Sequence, residues 1–337
     1  MAAPTTYPSL ERFLGVAKDV TPGTPVAPVA YLPFTKFDWN DKITFLDDKA
    51  VRGVMADDAF NVIGGVRLGE LTFEGPGFFD ELGYLLGNIF GADDVTGTAA
   101  PFSHKFSLLN SAGGQGTTHT FSQFYGPTPT SGTRQFSGTA LSELGFQFNA
   151  ESELFKYTAK GMSWASQTAG SKPTSSFTAA KPQPSWAVQL GLGGTVGGAP
   201  VLTVASGEFN IKRAVKPYYT AQNLRDPYIM QRGGLTADFK LSFVAADETP
   251  LTYMLNNTQP QVQLLISNGL SGANLLSLQV DMQQAAFTAA PPNFGSEAIM
   301  FDITGKGVLN TTNIGASGGY GPMTVTLQNA IASGTFI

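Results

Sequence analysis

The chain of 337 residues contains no cysteine. That absence removes disulfide scaffolds, thiolate metal sites and cysteine nucleophiles together, and it leaves the redox compartment unreadable. Histidine is nearly as scarce. His104 and His119 stand 15 residues apart in predicted strands, with no cysteine beside them, so neither marks a metal site and both are expected to be structural. Charged residues make up 13% of the chain, about half of the roughly 25% usual for a soluble domain. A surface so poor in charge implies cover by something other than water, and identical neighbouring subunits are the simplest cover. No window reaches the roughly 18 uninterrupted apolar residues of a membrane-spanning helix, and the first residues lack the basic and then apolar pattern of a secretion signal. The formal charge of −5 has the wrong sign for a surface that holds nucleic acid by its phosphates.

Catalytic patterns are missing as well. There is no Gly-x-Ser-x-Gly elbow. The glycine cluster Gly191 to Gly198 has Val196 where a dinucleotide fingerprint needs glycine, and Gly305-Lys-Gly307 has no Ser or Thr after its lysine. The acid pairs Asp47-Asp48, Asp57-Asp58, Asp80-Glu81 and Asp93-Asp94 do not follow calcium-loop spacing, and they read as solvated or helix-start charge. The 25 phenylalanines fall mostly on alternating positions, which suits core packing better than base stacking. Neither an enzyme, a metal nor a cofactor is expected.

What is present is glycine (39), proline (21) and alternation, the pattern of many short strands joined by turns. Residues 1–170 carry 11 basic and 17 acidic side chains, whereas 171–337 carry 9 and 8, so the halves differ in charge. Between them lies Ser166 to Pro184, rich in Ser, Thr, Ala, Lys and Pro, which reads as a linker. The predicted organisation is 1–171, 172–308 and an extension 309–337.

Short matches recur in the same order in both halves. Lys36-Phe-Asp-Trp39 is matched by Glu208-Phe-Asn-Ile211, Leu71-Thr-Phe73 by Leu241-Ser-Phe243, Leu82-Gly-Tyr-Leu-Leu86 by Leu251-Thr-Tyr-Met-Leu255, and Phe155 to Gly161 by Phe301 to Gly307. The middle pairs lie at offsets of 170 and 169 and the last at 146, which points to a duplicated unit with insertions in its loops. Each unit is predicted to contain two-faced strands and one short helix. In the first, Phe78, Leu82, Leu85 and Leu86 recur at helical spacing after Pro76, with Asp80 and Glu81 in the opening turn. Closing strands are expected at 139–149 and 153–164, and again at 276–288 and 298–308. Long connections at 44–64 and 214–232 are too long for tight hairpins.

These features, together with the opening Leu14-Gly-Val-Ala-Lys-Asp-Val-Thr-Pro-Gly-Thr-Pro-Val-Ala-Pro28 and Tyr31-Leu-Pro-Phe34, resemble the tail tube proteins of long-tailed bacteriophages. The resemblance implies a mainly β chain: two tandem β-sandwich or barrel units, each with one short α-helix packed on a sheet. It implies a structural virion protein of a siphovirus tail, assembled in the host cytoplasm, whose rings stack into a conduit for genome ejection. Six units complete a ring, so a duplicated chain is expected to form homotrimeric rings with pseudo-sixfold symmetry. The implied partners are other copies of itself, tape measure protein and phage genomic DNA in the lumen, and tail terminator and tail tip proteins at the ends. Two alternatives use the same features: the inner tube of a contractile tail or injection apparatus, and a secreted β-sandwich carbohydrate-binding module. The last wants an aromatic platform or carboxylates at glycosidase separation, and Trp39, Trp164 and Trp186 form no evident set.

A pore that lets DNA slide needs a neutral to acidic wall, because each phosphate met by Lys or Arg adds salt-dependent affinity. The lumen-facing candidates are therefore Glu70, Glu74, Glu143, Asp238 and Asp281. The long connections are expected to reach the adjacent ring, with Asp47, Asp48, Asp57 and Asp58 on one set against Lys216, Arg225 and Arg232 on the other.

Overall fold

A computed structural model describes residues 9–50, 53, 55, 62–126, 132–169, 172–295, 297–310 and 321–337. Strand accounts for 51% of the described residues and helix for 9%, so the fold is mainly β, as the alternation predicts. The first half supplies β1 (Phe13–Lys18), β2 (Ala30–Leu32), β3 (Lys36–Asp47), β4 (Val62–Pro76), α1 (Leu82–Phe90), β5 (Gly91–Thr96), β6 (Phe102–Leu108), β7 (His119–Phe124), β8 (Thr133–Asn149), β9 (Lys156–Ser163) and β10 (Gln167–Thr168). The second supplies β11 (Val188–Leu192), β12 (Pro200–Val201), β13 (Val204–Tyr218), β14 (Ile229–Val244), α2 (Thr249–Leu255), β15 (Val262–Ser267), β16 (Ser277–Met282), β17 (Ala285–Ala289), β18 (Pro292–Asn293), β19 (Met300–Gly307) and β20 (Thr324–Asn329).

Two antiparallel sheets enclose the core. The larger contains a continuous run in the order β3, β4, β9, β8, β13, β14, β19, β17. This run crosses from one half of the sequence to the other at β8 and β13, which pair from Glu143↔Lys212 to Asn149↔Ser206. The first part of β8 diverges to pair with β7, and β1 and β2 continue from there. The smaller sheet runs β12, β11, β15, β16, β20, β6, β5.

Alternation decides which face of the long run is covered. Phe37, Leu71, Phe73, Leu144, Phe146, Phe209, Ile211, Phe239, Leu241 and Ile303 are all buried in one core. Each such side chain contributes on the order of 1.5–3 kcal/mol by leaving water. All nine residues of α1 are buried within that core. The helix starts at Leu82, one position after the predicted acidic pair, and stops where Gly91 takes φ 86° and donates its N–H to Gly87 O, a left-handed end that glycine adopts without strain. The predicted second helix, α2, follows β14 with Pro250 in its first turn.

The chain's last described segment belongs to both halves. Strand β20 lies between β16 and β6. Beyond it, Phe336 is fully buried against α1, where Gly83 leaves room for its ring. Both histidines hold this segment. His104 is hydrogen-bonded through Nε2 to Ile331 O at 2.8 Å, and His119 through Nε2 to Phe336 O at 2.9 Å.

Candidate functional site

The face of the long run opposite the core is polar and, among the described residues, mostly open, and its side chains follow from the strand register. Lys36, Asp38 and Lys42 stand on β3, Glu70 and Glu74 on β4, Lys156 and Lys160 on β9, and Glu143 on β8. Across the joint, Glu208 and Lys212 stand on β13, Asp238 and Lys240 on β14, and Asp302 and Lys306 on β19. Up to the bulges of the two long hairpins, the face thus carries seven lysines, seven carboxylates and no arginine. Its acids lie beside its bases. Lys42 Nζ is 2.5 Å from Glu70 Oε1, Lys160 Nζ 2.8 Å from Glu143 Oε2, and Lys212 Nζ 3.2 Å from Asp238 Oδ2. Lys36 pairs with Asp38 at 3.1 Å. Exposed pairs of this kind contribute about 0–1 kcal/mol each, so their main effect is a surface with no net sign.

Four of the five lumen candidates, Glu70, Glu74, Glu143 and Asp238, therefore share one face. Asp281 does not join them, because β16 belongs to the smaller sheet, where its carboxylate accepts from Gln261 and Gln283. Sequence reasoning picked the acids and missed their lysine partners. The signal lay in the register, since Lys160 becomes a neighbour of Glu143 only once β8 and β9 are aligned.

The connection residues are placed as follows. Asp47 ends β3, and the Asp48 carboxylate accepts from Ala50 N at 2.9 Å. Asp57 and Asp58 lie outside the described residues. Strand β14 begins at Ile229, so the predicted 214–232 connection shrinks to 219–228 and Arg232 is a strand residue instead of a loop residue. Arg232 is only 4% exposed and points inward, donating through Nη2 to Thr117 O at 3.0 Å. Burial, with Arg213 nearby, pulls its pKa down to about 9. Lys216 lies over the Tyr218 ring at 5.1 Å. Arg225 is engaged within the chain, its Nε donating to Gly65 O at 2.6 Å.

That last contact belongs to a clamp. Arg67 of β4 donates through Nε and Nη2 to the two carboxylate oxygens of Asp226 at 2.7 and 2.6 Å, the two-pronged geometry guanidinium favours. Its backbone N–H donates to Arg225 O at 2.9 Å, and Tyr219 Oη donates to Arg67 O at 3.2 Å. The 219–228 connection of the second long hairpin is thus fastened to the first.

At the two ends of the run the sheet is open. Among the described residues β3 pairs only with β4, and β17 and β18 only with β19. Apolar side chains cluster near both ends: Phe45 (62% exposed) and Ile63 on the first hairpin, and Phe294 (71%) just past β18. Open strand edges are templates for pairing with another strand. Trp39 and Trp164 are turned into the fold and Trp186 alone is exposed, so the tryptophans build no common platform. No helix among the described residues is long and apolar enough to cross a membrane.

A family profile described as phage tail tube protein matches residues 9–327. No curated protein matches the chain. The match takes in both long hairpins, both helices and the strands that close each sheet, and this chain belongs to the phage tail tube protein family.

Proposed function

We propose that three copies of this chain close into one ring, and that stacked rings form the conduit through which phage DNA leaves the virion. Membership of the family carries the coarser statement, a self-assembling structural component of the phage tail. The number three rests on the registers of the long sheet, which support a duplicated unit, together with the six units per ring that the family resemblance implies.

Hairpins β3–β4 and β13–β14 carry the same irregularity. In one, Ile43↔Arg67 gives way to Phe45↔Gly64; in the other, Arg213↔Leu235 gives way to Val215↔Arg232. Matching these bulges relates β3 to β13 by 170 residues and β4 to β14 by 168. Pairs β8–β9 and β17–β19 share another, with Leu141↔Gly161 then Glu143↔Lys160 against Phe287↔Gly305 then Ala289↔Thr304. That match relates β8 to β17 by 146 and β9 to β19 by 144. The two results are independent, and together they require the pair Leu71↔Gly161 to correspond to Phe239↔Gly305, which are indeed partners. This closure supports a duplicated unit, with the chain divided at 1–171, 172–308 and 309–337. The sequence matches at 170 and 146 for the Leu71 and Phe155 strands run two residues beyond these offsets. Strand alternation repeats every two residues, so it cannot detect a slip of two.

Each chain then supplies eight strands to an inner wall. With strands about 4.8 Å apart and tilted by about 36°, 24 strands close at a backbone diameter of roughly 45 Å, and 16 at roughly 30 Å. After side chains fill part of that width, three copies leave passage for a DNA duplex and two do not. The charge-balanced face supplies a wall with no net attraction for phosphate, in keeping with sliding. By family resemblance the tape measure protein occupies the same lumen before ejection, and terminator and tip proteins close the ends. Electron microscopy of the purified protein, with rotational averaging and mass measurement of rings, tests the proposal. Open rings of three chains are expected; six chains per ring, or a persistent monomer, would overturn it.

A further inference from the structure

We infer that the joint between neighbouring copies repeats the β8–β13 joint already present inside the chain, so that residues 289–295 of one copy pair antiparallel with residues 36–42 of the next. The inference rests on the ring proposed above and adds the identity, direction and register of the contacting edges.

The offsets fix the register without further choice. Strand β8 corresponds to the edge that begins at Ala289, and β13 corresponds to β3. The observed pair Glu143↔Lys212 then maps onto Ala289 with Lys42 of the next copy, and Gln147↔Glu208 maps onto Asn293 with Asp38. The edges that would meet are the two left unpaired among the described residues, at opposite ends of the long run. The interface is head-to-tail and closes by rotation, as a ring requires.

Exposure agrees with this assignment. Phe148, at the inner joint, is 3% exposed, whereas its counterpart Phe294 is 71% exposed in the single chain. In the proposed register Phe294 comes beside Phe37 of the next copy, an aromatic cross-strand pair. Proline is placed to leave most of the ladder intact. Ala150 N–H donates to Ala205 O at 2.8 Å, which marks alternate pairs of the inner joint, among them Phe146↔Phe209, as the hydrogen-bonded ones. Pro292 corresponds to Phe146, so it leaves out one rung, while Ala290 and Phe294 keep theirs. Until a partner arrives, that proline blunts the open edge against unrelated strands.

The absence of cysteine makes a direct test possible. Non-hydrogen-bonded cross-strand pairs bring Cα atoms about 4.5 Å apart, within the range a disulfide spans. The double variants Asp38→Cys with Asn293→Cys, and Lys42→Cys with Ala289→Cys, are assembled, oxidised and run on non-reducing gels. Both are expected to give covalent trimers, whereas the out-of-register pair Asp38→Cys with Ala289→Cys gives none. Gln147→Cys with Glu208→Cys, at the inner joint, is the folding control and is expected to cross-link within one chain. Rings seen by electron microscopy whose matched pairs stay uncoupled, or whose mismatched pair couples, overturn the register while leaving the ring reading intact. Failure of the unmodified protein to form rings overturns both.

Discussion

Glu81 illustrates how a single side chain is set by its surroundings. It precedes α1, is 9% exposed and makes no capping hydrogen bond. Burial, with the charge of Asp80 beside it, pushes its pKa up from 4.5 to about 7. The folded state therefore holds this proton more tightly than the unfolded state, and stability falls as pH rises from about 4.5 to about 7. Glu81→Gln is expected to remove that slope and to raise stability at pH 8 by on the order of 2 kcal/mol, with little change at pH 4, as read from urea unfolding. His119 is the opposite case. Burial pulls its pKa down to about 3, so the ring is neutral, accepting from Asn88 Nδ2 at Nδ1 and donating from Nε2 to Phe336 O. A structural role for both histidines was legible from their isolation in the sequence. Their common attachment to one distant segment was not, because contacts spanning more than 200 residues leave no local trace.

Among the elements, α1 and the strand around Leu71 were legible because both have strong periodicity at their own spacing. The tip of the second long hairpin was not. Residues 214–218 and 229–232 alternate poorly, carrying Pro217, Tyr218 and the bulge after Arg213, yet they form strand because the partner hairpin and the Arg67–Asp226 clamp hold them. Tertiary pairing outweighs weak local propensity there. Asp226→Ala is expected to lower stability by about 1 kcal/mol and to expose the 219–228 connection to proteases, measured by limited proteolysis with mass mapping. Helix α1 allows a sharper test. Gly83→Ala would gain about 1 kcal/mol of helix propensity on an exposed helix. Here the added methyl would come within 2.4 Å of the Phe336 ring, and overpacking of about 1–3 kcal/mol wins. The variant is expected to be less stable in thermal unfolding, and the double variant with Phe336→Ala to lose less than the sum of the two single changes.

For the whole molecule, composition was the most informative part of the sequence. Low charge content pointed to surfaces committed to neighbours, and the sheet face opposite the core has, short of the hairpin bulges, a balance of seven lysines and seven carboxylates. The acids of this face were legible and their partners were not, because Glu70, Glu143 and Asp238 each gain a lysine from an adjoining strand position. Replacing Glu70 and Glu143 together by Lys adds four positive charges per chain to the face. Rings are expected to assemble unchanged, while ejection of DNA slows and becomes strongly dependent on salt. Time-resolved ejection assays at two salt concentrations would read this, and unchanged, salt-independent ejection would argue against a lumen position for these residues.

The pairing of β8 with β13 within one chain also alters the arithmetic of assembly. Each free body that joins a ring gives up translational and rotational freedom at a cost of about 4–15 kcal/mol. Six separate units would incur that loss five times, whereas the proposed ring of three chains incurs it twice. Ring yield then scales with the third power of chain concentration instead of the sixth. A ring assembled in the proposed way can therefore form while its chains are still few, and its threshold for growth is correspondingly gradual.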